Sequence, residues 1–526
     1  MVDANNVQPN ALWFLTPTNA ASFYSLHTIG GGVGQSLAVI NTDGVNSTGL
    51  HMDSTAAVTG QFWRFDTWPT SPTYPYRISS YLTKLDKHLE VSADVESARL
   101  TPGDTTGQHW VLVPAATPQV QVFVDEEEAM RVLNFLLAAA GLAPVVSAAA
   151  ITTGPITVGY YPSWNLSQVA GTDLSPYSHI NIAFAIPQTD GSIFFDESLF
   201  GPLVSQIHGH NAKALLSVGG WTGSANFSDI VKKPATAAKF TASIINLVKK
   251  YNLDGVDIDW EYPGKGGDTC NIFDAQNDTN NFLAFLTNLR KQLDAACGER
   301  SKLITLAVAV TPFQGPNGPV SDVSKFAKVV DFANLMQYDI NGAWNPTTGP
   351  NAPLNFETGK VAQVSFTTAI DAWTGAGWPA NQLVAGLPFY GRSTQALEDM
   401  TKDPKNQYQL QGNSAITGDQ DDLPELDACA GSTGVSGTWR WKNLRAQGVL
   451  SGPTTAVAPW VRQWDPITQT PWLFNKATKV FLSYDDTQSI GIKAKYAKSK
   501  GLRGVMVWSL GMDLNNELIN AARRNW

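Results

Sequence analysis

From residue 151 onward, short apolar runs alternate with stretches in which apolar residues recur every three or four positions. That is the pattern of strands alternating with amphipathic helices around a parallel sheet. Eight strands are predicted: Thr157 to Tyr161, His179 to Ala185, Ala214 to Val218, Gly255 to Trp260, Leu303 to Val310, Phe332 to Tyr338, Leu383 to Leu387 and Gly504 to Ser509. Eight such units suit a closed (β/α)8 TIM barrel over residues 151–526. Between the third and fourth strands, Phe240, Ile244, Leu247 and Val248 share one helical face. Between the fourth and fifth, Phe282, Phe285, Leu286, Leu289 and Leu293 do so, after a polar start at Asp278 to Asn280 and before a stop at Gly298. The rhythm breaks from about Ser393 to Lys479, a long Gly/Pro-rich stretch carrying Trp439, Trp441, Trp460, Trp464 and Trp472. This predicts an α+β subdomain, residues 393–480, inserted between strands seven and eight.

Residues 1–118 have a different pattern, short strands separated by Gly, Asn, Asp and Ser turns, which predicts a small all-β domain. Two stretches align: Phe23-Tyr24-Ser25-Leu26, Ser36-Leu37-Ala38-Val39 and Gly60-Gln61-Phe62-Trp63 are echoed by Pro75-Tyr76-Arg77-Ile78, His88-Leu89-Glu90-Val91 and Gly107-Gln108-His109-Trp110. The Gln-x-Trp element resembles the ricin-type lectin module of the β-trefoil fold. The resemblance makes Trp63 and Trp110 core residues. It implies a carbohydrate-binding module that lacks the third Gln-x-Trp of a full trefoil. Residues 119–150 read as a linker. It holds the acidic run Asp125 to Glu128 and then Met130 to Ala150, in which Met and Arg131 precede an apolar stretch and Val146-Ser147-Ala148. This resembles a secretory signal placed internally, whereas the first thirty residues have no basic start followed by an apolar run. The competing reading is a short interdomain helix ended by Pro144. The signal reading makes the barrel a secreted, extracellular domain.

Composition narrows the partners. With 17 Trp, 14 Tyr and 23 Phe the chain is rich in flat rings, surfaces that often hold sugars, and its net charge of -9 without a long basic run argues against nucleic acid. No apolar run is long enough for a membrane-spanning helix. The three cysteines, Cys270, Cys297 and Cys429, allow at most one intramolecular disulfide, and the pairing is left open.

In such barrels chemistry sits at the C-terminal strand ends. The fourth strand ends in DGVDIDWE, Asp254 to Glu261, so Asp257, Asp259 and Glu261 project to one face at spacings of about 6.6 Å. Repulsion and burial favour a proton on at least one carboxyl, and the outermost, Glu261, is the predicted general acid. A hard-cation site is the rival reading, but the spacing is not that of an EF-hand loop, and no metal is predicted. Val256 and Ile258 point to the opposite, helix-facing side.

DGVDIDWE resembles the Asp-Gly-x-Asp-x-Asp-x-Glu signature of glycoside hydrolase family eighteen, the chitinases and chitinase-like proteins. Ser217-Val218-Gly219-Gly220, Met336-Gln337-Tyr338-Asp339 and Trp508 are similar to the family's motifs on strands three, six and eight. Within the break in rhythm and just beyond it, Trp464-Asp465 and Phe481 to Asp486 look like the chitinase insertion domain and the segment after that domain. The resemblance implies hydrolysis of β-1,4-linked N-acetylglucosamine in chitin and chitooligosaccharides with retention, assisted by the substrate and needing no cofactor. It makes Glu261 the acid and gives Asp259 the task of orienting the 2-acetamido group, with Asp257 sharing a hydrogen-bonded proton. Tyr338 would hold the acetamido carbonyl, Asp339 would bind the sugar and Trp508 would floor the subsite. Tyr160, Phe184, Gly220, Trp221, Met336 and Arg392 would line the cleft, and the aromatic-rich insertion would deepen one wall into a groove for a linear polymer. Two other functions fit the same fold: an endo-β-N-acetylglucosaminidase and a chitin-binding lectin without activity. Retention of Glu261 with both aspartates favours the enzyme.

Overall fold

Strand-period alternation sorts the side chains of each predicted strand between two environments. In the strand Gly255–Asp259, Val256 and Ile258 are fully buried in an outer layer shared with Phe240, Ile244, Phe285 and Leu286, whereas Asp257 and Asp259 face inward. The computed structural model describes residues 155–526 apart from 165–168, 170, 198–199, 428 and 430, together with the backbone of eight short strands between residues 13 and 102.

The barrel strands are β1 (Ile156–Pro162), β2 (His179–Pro187), β3 (Lys213–Gly219), β4 (Gly255–Asp259), β5 (Leu303–Val308), β6 (Phe332–Leu335), β7 (Leu383–Pro388) and β8 (Gly504–Trp508). Each pairs in parallel with the next, and β8 pairs in parallel with β1, so the sheet closes. Helices α1 (Phe200–Gly209), α2 (Pro234–Lys250), α3 (Asp278–Cys297), α4 (Ser324–Val329), α5 (Phe366–Gly375), α6 (Thr487–Ser499) and α7 (Glu517–Arg524) follow β2 to β8 in order. In α3 the expected face of Phe282, Phe285, Leu286, Leu289 and Leu293 is buried, and Gly298, in the left-handed region at φ 103°, ends the helix. A smaller layer inside the barrel contains Ile156, Val158, Tyr160, Ala183, Ala307, Phe332, Val384 and Met506. Two apolar layers on either side of one closed sheet hold the strand ends in fixed register.

The predicted insertion is a five-stranded antiparallel sheet, in the order Thr438–Arg440, Tyr390–Gln395, Val480–Ser483, Thr470–Asn475, Trp460–Asp465. It takes in residues on both sides of 393–480, because the chain enters it directly after β7 and leaves it directly before α6. The expected aromatic wall is corrected for three of the five insertion tryptophans, since Trp460 and Trp464 stay partly exposed. Trp439, Trp441 and Trp472 are buried in cores, and Trp441 donates its ring N–H to Glu517 at 2.9 Å. Indole area is more stabilising in a core than in water, and a sheet this small needs it to pack on the barrel.

The chain divides into two units, residues 1–149 and 150–526. In the first, six of the described strands form an antiparallel sheet and Gln35–Val39 pairs with Leu50–Ser54. The trefoil reading of residues 1–118 extends over segments outside the described residues, including Trp110, and the linker 119–150 also lies outside them. Among the described residues no helix is long and apolar enough to cross a membrane.

Candidate active site

Asp257 lies fully buried in the middle of the barrel. Strand register puts Ser217 and Thr305 directly beside it. Its Oδ2 accepts from Tyr160 Oη and Ser217 Oγ, both at 2.8 Å, and its Oδ1 from Thr305 Oγ1 at 2.6 Å and Asn334 Nδ2 at 3.4 Å. Burial raises the Asp257 carboxyl above the usual carboxylate range and these donors oppose the rise. Four neighbouring side chains thus meet both oxygens of Asp257.

Asp259, one step toward the mouth, is 3% exposed, and its Oδ1 has no hydrogen-bond partner among the described residues. Burial first, then the charges of Glu261 and Asp257, hold its carboxyl well above the ordinary range. Glu261 comes next, at the rim of the barrel. Burial pushes its carboxyl up to about 7, the Tyr262 hydroxyl pulls it back by hydrogen bonding, and the charge of Asp339 adds to the rise. The stripe thus holds one saturated carboxyl, one with an uncommitted oxygen and one poised to give up a proton near neutrality.

The loop after β3 fits closely around these groups. Gly219 and Gly220 sit at φ 114° and 80°, and a Cβ on the first would collide with the Asp259 carbonyl, on the second with the Phe184 ring. Gly220 is buried and donates its N–H to the Asp259 carbonyl at 2.8 Å, so backbone clearance accounts for its place in the motif. Among the described residues three non-proline peptide bonds are cis: Ala183–Phe184 within β2, Glu261–Tyr262 just after β4 and Trp508–Ser509 at the end of β8.

Tyr338 is half-buried, with its hydroxyl 3.7 Å from Met506 Sδ. Burial and the charges of Asp259 and Asp339 keep that hydroxyl protonated well above its usual range. Asp339, at φ 54°, accepts from Arg392 Nε at 2.7 Å and from Tyr390 Oη at 2.8 Å. Both donors belong to the first strand of the insertion, which therefore contributes to the site through Arg392 and Tyr390. Met336 packs half-buried against the inner layer.

Aromatic rings extend outward from the centre. Trp508 stacks on Phe184 at 5.7 Å between centroids, and Phe184 on Trp164 at 5.6 Å. Tyr160 touches Trp508 at a tilt of 54°. Trp164, Trp221 and Trp344 are each at least half exposed, and Trp344 lies over the Arg392 guanidinium at 5.6 Å. Exposed rings thus come from loops that extend beyond barrel strands. The family resemblance singles out Tyr160, Phe184, Trp221, Tyr338, Asp339 and Trp508, which lie on or just beyond barrel strands, and Arg392, which reaches Asp339 from the insertion. It passes over Trp164, Tyr262, Trp344 and Tyr390. Only Tyr262 carried a usable signal, standing next to the predicted acid.

Comparison with known proteins agrees with this geometry. The model of glycosyl hydrolases family 18 matches residues 156–513. A "chitinase-like effector" of Moniliophthora roreri is 34% identical over 387 residues, 70% of this chain and 92% of the relative. "Chitinase A1" of Niallia circulans is 32% identical over 431 residues, 69% of this chain and 57% of the relative. The crystal structure of a chitinase from Rhizomucor miehei superposes with a TM-score of 0.65 at 36% identity, covering 70% of this chain and 99% of that one. With the family model matched over more than half of its length, on the segment that forms the barrel, this chain belongs to glycosyl hydrolases family 18.

Proposed function

We propose that the chain cleaves the β-1,4 links of chitin with retention, using the 2-acetamido oxygen of the substrate as the nucleophile and Glu261 as acid and base. The chain is a glycoside hydrolase, a chitinase of its family. What most supports the mechanism is Asp259, a buried carboxyl with one oxygen uncommitted, beside an acid pushed up to about 7. An uncommitted buried acceptor is costly unless a substrate group completes it.

In the first step Glu261 gives its proton to the glycosidic oxygen as the C1–O bond breaks and the acetamido oxygen bonds to C1, forming an oxazolinium ion. Asp259 accepts from the acetamido N–H and balances the developing positive charge. Tyr338, kept protonated, donates to the acetamido oxygen, and Trp508 supports the sugar ring. In the second step the Glu261 carboxylate takes a proton from water, which attacks C1 and opens the oxazolinium with retained configuration. Asp257, fixed by four donors, raises the Asp259 carboxyl through its charge, and Asp339 binds the sugar while held by Arg392 and Tyr390. A thiazoline analogue of the oxazolinium is expected to inhibit competitively. If Asp259 were instead a covalent nucleophile, the analogue would fail and a glycosyl-enzyme would accumulate with a fluorinated substrate.

Action outside the cell belongs to the same proposal. It is supported by the signal-like segment Met130 to Ala150 and by the Cys270–Cys429 disulfide, a bond favoured by oxidising surroundings. Glycan binding by a ricin-type module in residues 1–118 is supported by the repeated Gln-x-Trp elements and antiparallel strand pairings.

A further inference from the structure

The peptide groups on both sides of the Glu261 α-carbon are held by side chains that the reaction does not use. Its N–H donates to Ser224 Oγ at 2.9 Å, and that hydroxyl donates to the Gly220 carbonyl at 2.8 Å. Its carbonyl accepts from Asn271 Nδ2 at 2.9 Å, and the same amide nitrogen donates to the Trp221 carbonyl at 3.2 Å. A primary amide has two N–H donors, so one side chain ties the acid to the half-exposed cleft tryptophan.

Asn271 is 8% exposed, and its backbone is fixed by its own N–H to the Asp268 carbonyl at 3.0 Å and by Ile272 N–H to the Ala225 carbonyl at 3.2 Å. Gly267 makes room for the arrangement. A Cβ there would collide with the Glu261 carbonyl and come within 3.1 Å of Asn271 Nδ2. The neighbouring residue, Cys270, forms a disulfide with Cys429 of the insertion, 159 residues away.

We propose that Asn271 is a positioning residue that sets the acid Glu261 and the cleft ring Trp221 relative to one another, and that the Cys270–Cys429 bridge fastens it to the insertion. This rests on Glu261 being the acid. Displacing a reacting group by about 1 Å costs on the order of 10²-fold in rate, so one amide bond to the acid's backbone has leverage on turnover. Because Trp221 moves with it, substrate binding changes as well.

The test measures kcat and KM on chitotetraose and chitohexaose for the parent, Glu261→Gln, Asn271→Asp, Asn271→Ala and the pair Cys270→Ser with Cys429→Ser, with rates taken per folded molecule from thermal melts. Asn271→Asp keeps the shape but loses the donors. It is expected to lose roughly 10- to 100-fold in kcat and to raise KM more for the hexasaccharide than for the tetrasaccharide. The double serine variant is expected to shift both constants in the same direction by less, dithiothreitol to reproduce that shift in the parent, and Cys297→Ser to leave both constants unchanged. Parent-like constants for Asn271→Asp beside an inactive Glu261→Gln would overturn this inference and leave the proposed function standing. Hydrolysis by Glu261→Gln would instead overturn the function. Unchanged constants in the double serine variant would overturn the role of the bridge.

Discussion

Glu261 has to be protonated to start the reaction, and its surroundings decide how far up the pH scale that lasts. With the carboxyl pushed up to about 7, kcat/KM is expected to fall as pH rises through about 7. Asp339 contributes to that rise through its charge, so Asp339→Asn should move the high-pH limb to lower pH; an unmoved limb would mean that Asp339 does not tune the acid. The same burial has a consequence for stability. The folded carboxyl titrates near 7 and an ordinary glutamate near 4.5, so between these values the native state holds a proton that the unfolded state releases. Stability from this group is therefore lost as pH rises across that window. Glu261→Gln cannot titrate and is expected to be more stable than the parent above pH 7, by up to about 3 kcal/mol. The difference should vanish below pH 4.5, as read by urea denaturation at the two pH values. The carboxylate stripe was legible in the sequence because strand alternation dictates it. Asn271 and Ser224 were not, because they reach Glu261 across loops whose spacing has no period.

Elements hold the strand ends in place, and the junction of the insertion with the barrel shows how. Where the last insertion strand hands over to α6, Lys493 Nζ and Asp485 Oδ1 pair at 2.5 Å with both side chains essentially inaccessible. Nearby, Asp486 caps α6 through the N–H groups of Gln488 and Ser489 and pairs with Arg462 of the insertion at 2.7 Å. Removing one partner of a buried pair strands the other charge. Lys493→Met should cost about 3–5 kcal/mol, and adding Asp485→Leu should recover most of it. Chemical denaturation of both variants checks this, and a double variant no better than the single one would contradict it. At this scale periodicity predicted every barrel strand to within a few residues of its observed ends. Three of the five insertion tryptophans were misjudged because composition says that rings are present and not which way they face. Trp439, Trp441 and Trp472 point into cores, whereas among the described residues Trp164, Trp221 and Trp344, scattered singly in loops, are the tryptophans at least half exposed.

Across the whole molecule, the chemistry lies within one closed barrel. Four donors from β1, β3, β5 and β6 converge on Asp257, so the catalytic stripe depends on closure of the entire sheet and no single βα unit could hold it. That convergence could not be read from sequence, since Tyr160 and Asn334 are separated from Asp257 by long stretches and meet it only through closure. The order of motifs at successive strand ends was legible, and with it the family. Glu261 as the acid of a retaining chitinase is tested most directly by the time course and product anomer of chitin hexasaccharide hydrolysis by the parent chain beside Glu261→Gln. Rapid release of β-anomers by the parent with almost none from the variant is the predicted result. Cleavage by neither chain with binding retained, or α-anomers from the parent, would contradict it.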